Sequence, residues 1–204
     1  VNVNLHGESD VREDYLAESE EVDFHHPSIG EQAAKLYAAS SHETDFIQKA
    51  YEFVRDEISH SWDIQSARIT CQASEVLHFR EGICYAKSNL LCALLRSEGI
   101  PAGFCYQRLT LGDTPDTGYC IHALNAVFLQ PSGQWIRLDA RGNKPGIQAE
   151  FSLTGEKLAF PIRKAYNETD YPVIYAQPHP KTIQALRGNT DCRSMYLQGL
   201  PTEL

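Results

Sequence analysis

The 204-residue chain has no apolar run approaching the roughly 18 residues that a membrane span requires. Its opening stretch, VNVNLHGESDVRED, carries no apolar core of the signal-peptide kind, so a soluble, cytoplasmic protein is expected. Basic residues are also in short supply. Eighteen Lys and Arg against 27 Asp and Glu leave a formal charge of −9. A nucleic-acid binder usually displays a basic stripe, and an anionic membrane surface repels an acidic chain, so neither partner is expected. Cysteine is sparse: Cys71, Cys84, Cys92, Cys105, Cys120 and Cys192, with no C-x-x-C pair. That is too few for a disulfide scaffold, and structural zinc normally needs two close ligand pairs. Cys120 and His122 form one C-x-H pair, but in a strand this spacing only places both side chains on one face. No metal or other cofactor is expected. The phosphate-loop, G-x-S-x-G and H-E-x-x-H patterns are missing as well.

What is present is an ordinary globular composition, 42% hydrophobic and 22% charged, long enough to bury a core without disulfides. A single domain over 1–204 is expected, with an acidic arm over 1–26, a core over 27–142 and a C-terminal wrap over 143–204. The arm reads as partly mobile, although Tyr15, Leu16, Val22 and Phe24 could lay a short strand on the body. Pro27-Ser28-Ile29-Gly30-Glu31 reads as a helix start, with Ser28 as cap and Glu31 completing a capping box. A second helix runs from near Glu43 to about Ile58, its stripe being Phe46, Ile47, Ala50, Phe53, Val54 and Ile58. Ser74–Phe79 reads as a short helix. Cys84 then opens a leucine-rich helix to about Glu98, stopped by Gly99 and Pro101. After it the period changes: 102–109, 120–129 and 134–139 read as strands, the last two joined by a tight turn at Pro131-Ser132-Gly133. The proline-rich tail has one short helix near 182–187. Helices followed by an antiparallel sheet make an α+β domain.

Three chemistry-bearing residues fall at the edges of these elements. Cys84 stands in the first turn of its helix, where free N–H groups and the helix dipole favour a thiolate and can hold an oxyanion. His122 lies in the second strand and Asp139 at the end of the third, nearly symmetric about the hairpin turn. An imidazole that takes the thiol proton and a carboxylate that fixes its tautomer would complete a Cys-His-Asp site. The other histidines read differently: His25-His26 as surface, and His60, with Trp62, as groups following a helix end.

Gly82-Ile83-Cys84-Tyr85-Ala86, with Leu90-Leu91-Cys92-Ala93-Leu94-Leu95-Arg96-Ser97-Glu98-Gly99-Ile100-Pro101-Ala102, resembles the core signature of the transglutaminase-like superfamily. His122-Ala123-Leu124-Asn125-Ala126-Val127 resembles its histidine strand, and Trp135-Ile136-Arg137-Leu138-Asp139-Ala140 its aspartate strand. The resemblance covers about residues 46–142 and suggests a small microbial-type member. It implies a papain-like α+β fold and a catalytic triad of Cys84, His122 and Asp139. It further implies acyl transfer from a carboxamide or peptide bond through a Cys thioester, on a peptide or protein substrate, most simply by hydrolysis of the protease or deamidase type. Amine cross-linking and non-catalytic peptide binding are the alternatives. Two departures bear on the pocket: Leu124 stands where the family often has an aromatic residue, and Arg141 where it often has Thr. Gln72 and Trp62 are candidates for a second oxyanion donor. The oligomeric state stays open.

Overall fold

A computed structural model describes residues 3–204. The first half of the chain is helical: α1 (Pro27–Ala38), α2 (Glu43–Glu57), α3 (Ala73–Phe79) and α4 (Cys84–Ser97). The start of α1 is built differently from the Ser28 capping box. His26 is the N-cap, its ring nitrogen accepting the Ser28 N–H at 3.3 Å, and Pro27 fills the first helical position, where its missing N–H costs nothing. The reciprocal capping box is found at α3 instead, where Gln72 and Glu75 satisfy each other's backbone. Helix α2 buries Phe46, Ile47, Ala50, Tyr51 and Val54, so Tyr51 takes the place in the core that the periodicity assigns to the half-buried Phe53.

Helix α4 is the axis of the fold. Every residue from Cys84 to Arg96 is buried, polar ones included, because α1, α2 and α3 cover one side and the sheet covers the other. The helix ends where Gly99 adopts φ +75°, a conformation that favours glycine. Three two-residue strands come first in the chain, β1 (His6–Gly7), β2 (Ser59–His60) and β3 (Glu81–Gly82). The main sheet has the order β6-β5-β4-β7, built from β4 (Ala102–Thr110), β5 (Tyr119–Leu129), β6 (Gln134–Leu138) and β7 (Thr169–Asp170), all antiparallel. Residues 143–204 wrap around this body and contain helix α5 (Pro180–Gly188) and a terminal π-helical turn at Met195–Gly199.

The acidic N-terminal segment lies against the body, and not through the short strand expected of Tyr15, Leu16, Val22 and Phe24. His6–Gly7 pairs in parallel with Val173–Ile174, and Arg12–Leu16 forms a 3-10 turn. Tyr15 is buried edge-on to Trp135 at 4.9 Å, with its hydroxyl 3.2 Å from the Ile174 carbonyl. The buried Arg96 guanidinium reaches the carbonyls of Ala17, Ala102 and Ala176, tying both chain ends to α4. Tyr15→Ala should therefore lower unfolding stability by about 3–5 kcal/mol in urea titration, as losing a buried aromatic does. An unchanged midpoint would mean the segment contributes nothing to the core.

Candidate active site

The site forms where the first turn of α4 meets the ends of β5 and β6. Two short strands, Ser59–His60 and Glu81–Gly82, pair in parallel just before α4 and set its starting point. At Gly82 a side chain would come within 3.0 Å of Ala86 Cβ and Thr70 Oγ1, so glycine lets the chain approach closely before turning into the helix. Lys87 N–H bonds to Ile83 C=O, so the N–H groups of Cys84, Tyr85 and Ala86 precede the first intrahelical donor.

On the sheet, the β5–β6 register pairs Asn125 with Leu138. Continued by one step it sets Asp139 beside Leu124, on the same face as His122 two residues along. His122 Nε2 and Asp139 Oδ2 are 2.8 Å apart and both side chains are buried. Asp139 also accepts the N–H of Ala159 at 3.0 Å and of Arg141 at 3.2 Å. Burial alone would push this carboxyl up, but the facing imidazolium and these hydrogen bonds hold it below the usual carboxylate range. Burial likewise opposes a charged His122. The Asp139 carboxylate and the nearby Cys84 sulfur outweigh it and raise the imidazole above its ordinary value. Phe160 stands edge-on to the His122 ring at 5.0 Å.

Cys84 and His122 line one cavity of about 500 Å³ with His60, Trp62, Cys120 and Tyr196 among its walls. Trp62 stacks flat on Tyr196, centroids 4.4 Å apart. Arg141, at the position that departs from the family pattern, forms a two-pronged pair with Asp63 at 2.5 and 2.8 Å, and Lys144 joins the same carboxylate at 2.7 Å. Beneath them the buried Lys87, one turn into α4, donates to the carbonyls of Ile58 (2.6 Å), Arg141 (2.9 Å) and Arg55 (3.4 Å). Burial, with the Arg141 charge, pushes its ammonium down to about 7. The loop that follows Asp139 is thus tethered to the helix that carries Cys84.

The structure therefore brings together the three residues singled out from the sequence. Gln72 is elsewhere: it caps α3, donates to the Glu20 carbonyl at 3.2 Å, and does not line the cavity. Trp62 does line it. His60 follows the end of α2, as the sequence suggests, and is buried in the cavity wall. Cys120 lies in the same wall, and among the described residues no group of three or more His, Cys, Asp or Glu is arranged to hold a metal ion. The contributions of Ala159, Phe160 and Tyr196 come from the C-terminal wrap, whose only sequence signal is aromatic residues scattered in a proline-rich stretch.

Residues 31–140, more than half of the chain, match the transglutaminase-like superfamily. The protein belongs to that superfamily. Its fold is similar to a candidate cysteine protease from Cytophaga hutchinsonii, with a TM-score of 0.51 and 18% identity over 68% of this chain and 46% of that one. The periplasmic domain of TgpA from Pseudomonas aeruginosa aligns at a TM-score of 0.47 and 18% identity, over 63% of this chain and 46% of that one. This member of the superfamily thus spans less than half the length of both solved chains. No curated protein matches it. Among the described residues no helix is long and apolar enough to cross a membrane.

Proposed function

We propose that this transglutaminase-like protein is a thiol acyl-transfer enzyme that attacks a carboxamide or peptide bond of a peptide or protein and hydrolyses it through a Cys84 thioester. The observation that carries the reading is the placing of two groups in one cavity, a cysteine in the first turn of a buried helix and an imidazole, with a buried carboxylate holding that imidazole's Nε2 from behind.

Cys84, as thiolate, adds to the carbonyl carbon, and the carbonyl electrons move onto oxygen beside the free N–H groups of α4. His122, as imidazolium, gives its proton to the leaving ammonia or amine, and the thioester remains. Neutral His122 then takes a proton from water as the water adds to the thioester. Collapse releases the acid and the thiolate, and the imidazolium is restored. Asp139 stays ionised throughout and holds the ring. No step calls for a metal.

Water needs no binding site of its own, whereas an efficient cross-linker must bind its amine and keep water out. With a glutamine-containing peptide and a large excess of primary amine, the free acid should be the main product by mass spectrometry. Predominant amine adduct at modest amine concentration would overturn the hydrolytic assignment and favour cross-linking. Incubation with a peptide library, followed by mass mapping, should reveal a thioester at Cys84. Its absence, with no turnover of any peptide, would favour a non-catalytic binding role.

A further inference from the structure

His60 is a titratable group of the cavity wall to which the mechanism above gives no task. His60 is 4% exposed, and its Nδ1 is buried with no hydrogen-bond partner among the described residues. Nε2 makes no hydrogen bond among the described residues either, but unlike Nδ1 it is not sealed off, and the residue lines the same cavity as Cys84 and His122. Its position is set firmly. The short parallel ladder registers His60 against Gly82, two residues before Cys84, and the Ser61 N–H donates to the Gly82 carbonyl at 3.2 Å. The Tyr196 ring stands at right angles to it at 6.0 Å.

We infer that His60 is the second oxyanion donor of the site, its neutral imidazole presenting Nε2–H to the carbonyl oxygen of the bound acyl group opposite the N–H groups of α4. The inference rests on the reading of Cys84 as an acyl-transfer nucleophile. It follows from the two tautomers open to a neutral ring. A proton on Nδ1 would bury an N–H with no acceptor, which folded proteins rarely tolerate. A proton on Nε2 leaves only a bare lone pair buried, a smaller cost, and turns the N–H toward the cavity. Neutrality is itself enforced. Burial, then the positive charge of Arg141, holds this histidine well below its ordinary value despite the opposing carboxylate of Asp63. A neutral donor can stabilise the oxyanion without placing a second full positive charge beside the His122 imidazolium. Trp62 lines the same cavity with one ring face stacked on Tyr196, and because a stack leaves the in-plane indole N–H unused, Trp62 is the competing donor that the variants below separate from His60. Gln72 is occupied at its cap.

The test contrasts two reactions of the same sulfur. Acylation of Cys84 by p-nitrophenyl acetate passes through a tetrahedral oxyanion, whereas alkylation by iodoacetamide is a displacement at a saturated carbon and forms none. In His60→Ala the acylation rate should fall by about 10²-fold, the usual cost of losing one oxyanion donor, with the alkylation rate unchanged. His60→Gln, which keeps an N–H donor, should recover part of the acylation rate. Acylation of His60→Ala at the wild-type rate would overturn the assignment. So would equal slowing of both reactions, because that is the mark of a disturbed Cys84 and not of a lost donor. A wild-type protein that is alkylated but never acylated at Cys84 would instead refute the acyl-transfer reading itself, and this inference would fall with it.

Discussion

Replacing Cys84 by alanine should abolish acyl transfer and leave the protein folded. Removing the nucleophile of a comparable triad costs about 10⁶ in turnover, since no other group can form the covalent intermediate. The fold should lose little. Cys84 stands at an element edge with a trace of exposure, and the change deletes one sulfur from a wall that already faces a cavity, costing on the order of 1 kcal/mol. The wild-type counterpart of this result is selective labelling. All six cysteines are free, so a thiol reagent has six targets. Burial pushes Cys71, Cys92 and Cys192 up to about 11, and Cys105 and Cys120 up to about 12. Those five thiols are protonated in mildly acidic solution, whereas the acyl-transfer reading gives Cys84 an imidazole to take its proton. Iodoacetamide at about pH 6 should therefore mark Cys84 first in a peptide map, and Cys84→Ala should show no fast phase. First labelling at Cys71 or Cys120, the two partly exposed thiols, would place the nucleophile elsewhere.

Much of this site is legible in the sequence because local rules place it. The leucine periodicity and the Gly99 stop define α4, and so put Cys84 in its first turn. The tight hairpin at 131–133 then fixes a register that carries His122 and Asp139 to one face. What pattern alone does not reveal is the part that is built from backbone and from distant segments. The N–H of Ala159, 20 residues beyond Asp139, is one of the three donors around that carboxylate, and a backbone donor has no sequence signature. Phe160 and Tyr196 belong to a wrap with neither helical nor strand periodicity. His60 looks like a group at a helix end until the two-residue ladder with Gly82 turns it into a cavity wall. The first 26 residues read as a partly mobile arm because of their acidic side chains. Yet Tyr15 and Val22 are buried in the core, and the carbonyl of Ala17 is held by Arg96.

Asp139→Asn should be the most damaging substitution that leaves Cys84 and His122 in place. The carboxylate accepts three N–H groups: His122 and Ala159 at Oδ2, and Arg141 at Oδ1. An asparagine has one acceptor oxygen and one donor amide. Turned one way, its NH₂ meets the Arg141 N–H; turned the other, it meets both His122 and Ala159. Either orientation leaves a buried donor unpaired, at about 1–3 kcal/mol in stability. The catalytic loss is larger, because the imidazole loses both its fixed tautomer and the charge that supports its protonated form; the same change in a comparable triad costs about 10⁴ in turnover. The pH dependence follows from the two shifts. The raised His122 contributes stability that is complete below the ordinary imidazole value near 6.5 and is lost as pH rises through its folded value. The lowered Asp139 contributes stability that is complete above about 3.9 and is lost as pH falls through its folded value. The stability gap between wild type and Asp139→Asn should therefore be widest between about pH 4 and 6.5 and should narrow on the alkaline side. NMR titration of the His122 ring should show its midpoint moving down in the variant, since burial is then opposed by the Cys84 sulfur without the carboxylate. An unmoved midpoint, or wild-type turnover in Asp139→Asn, would mean that some other group holds the imidazole.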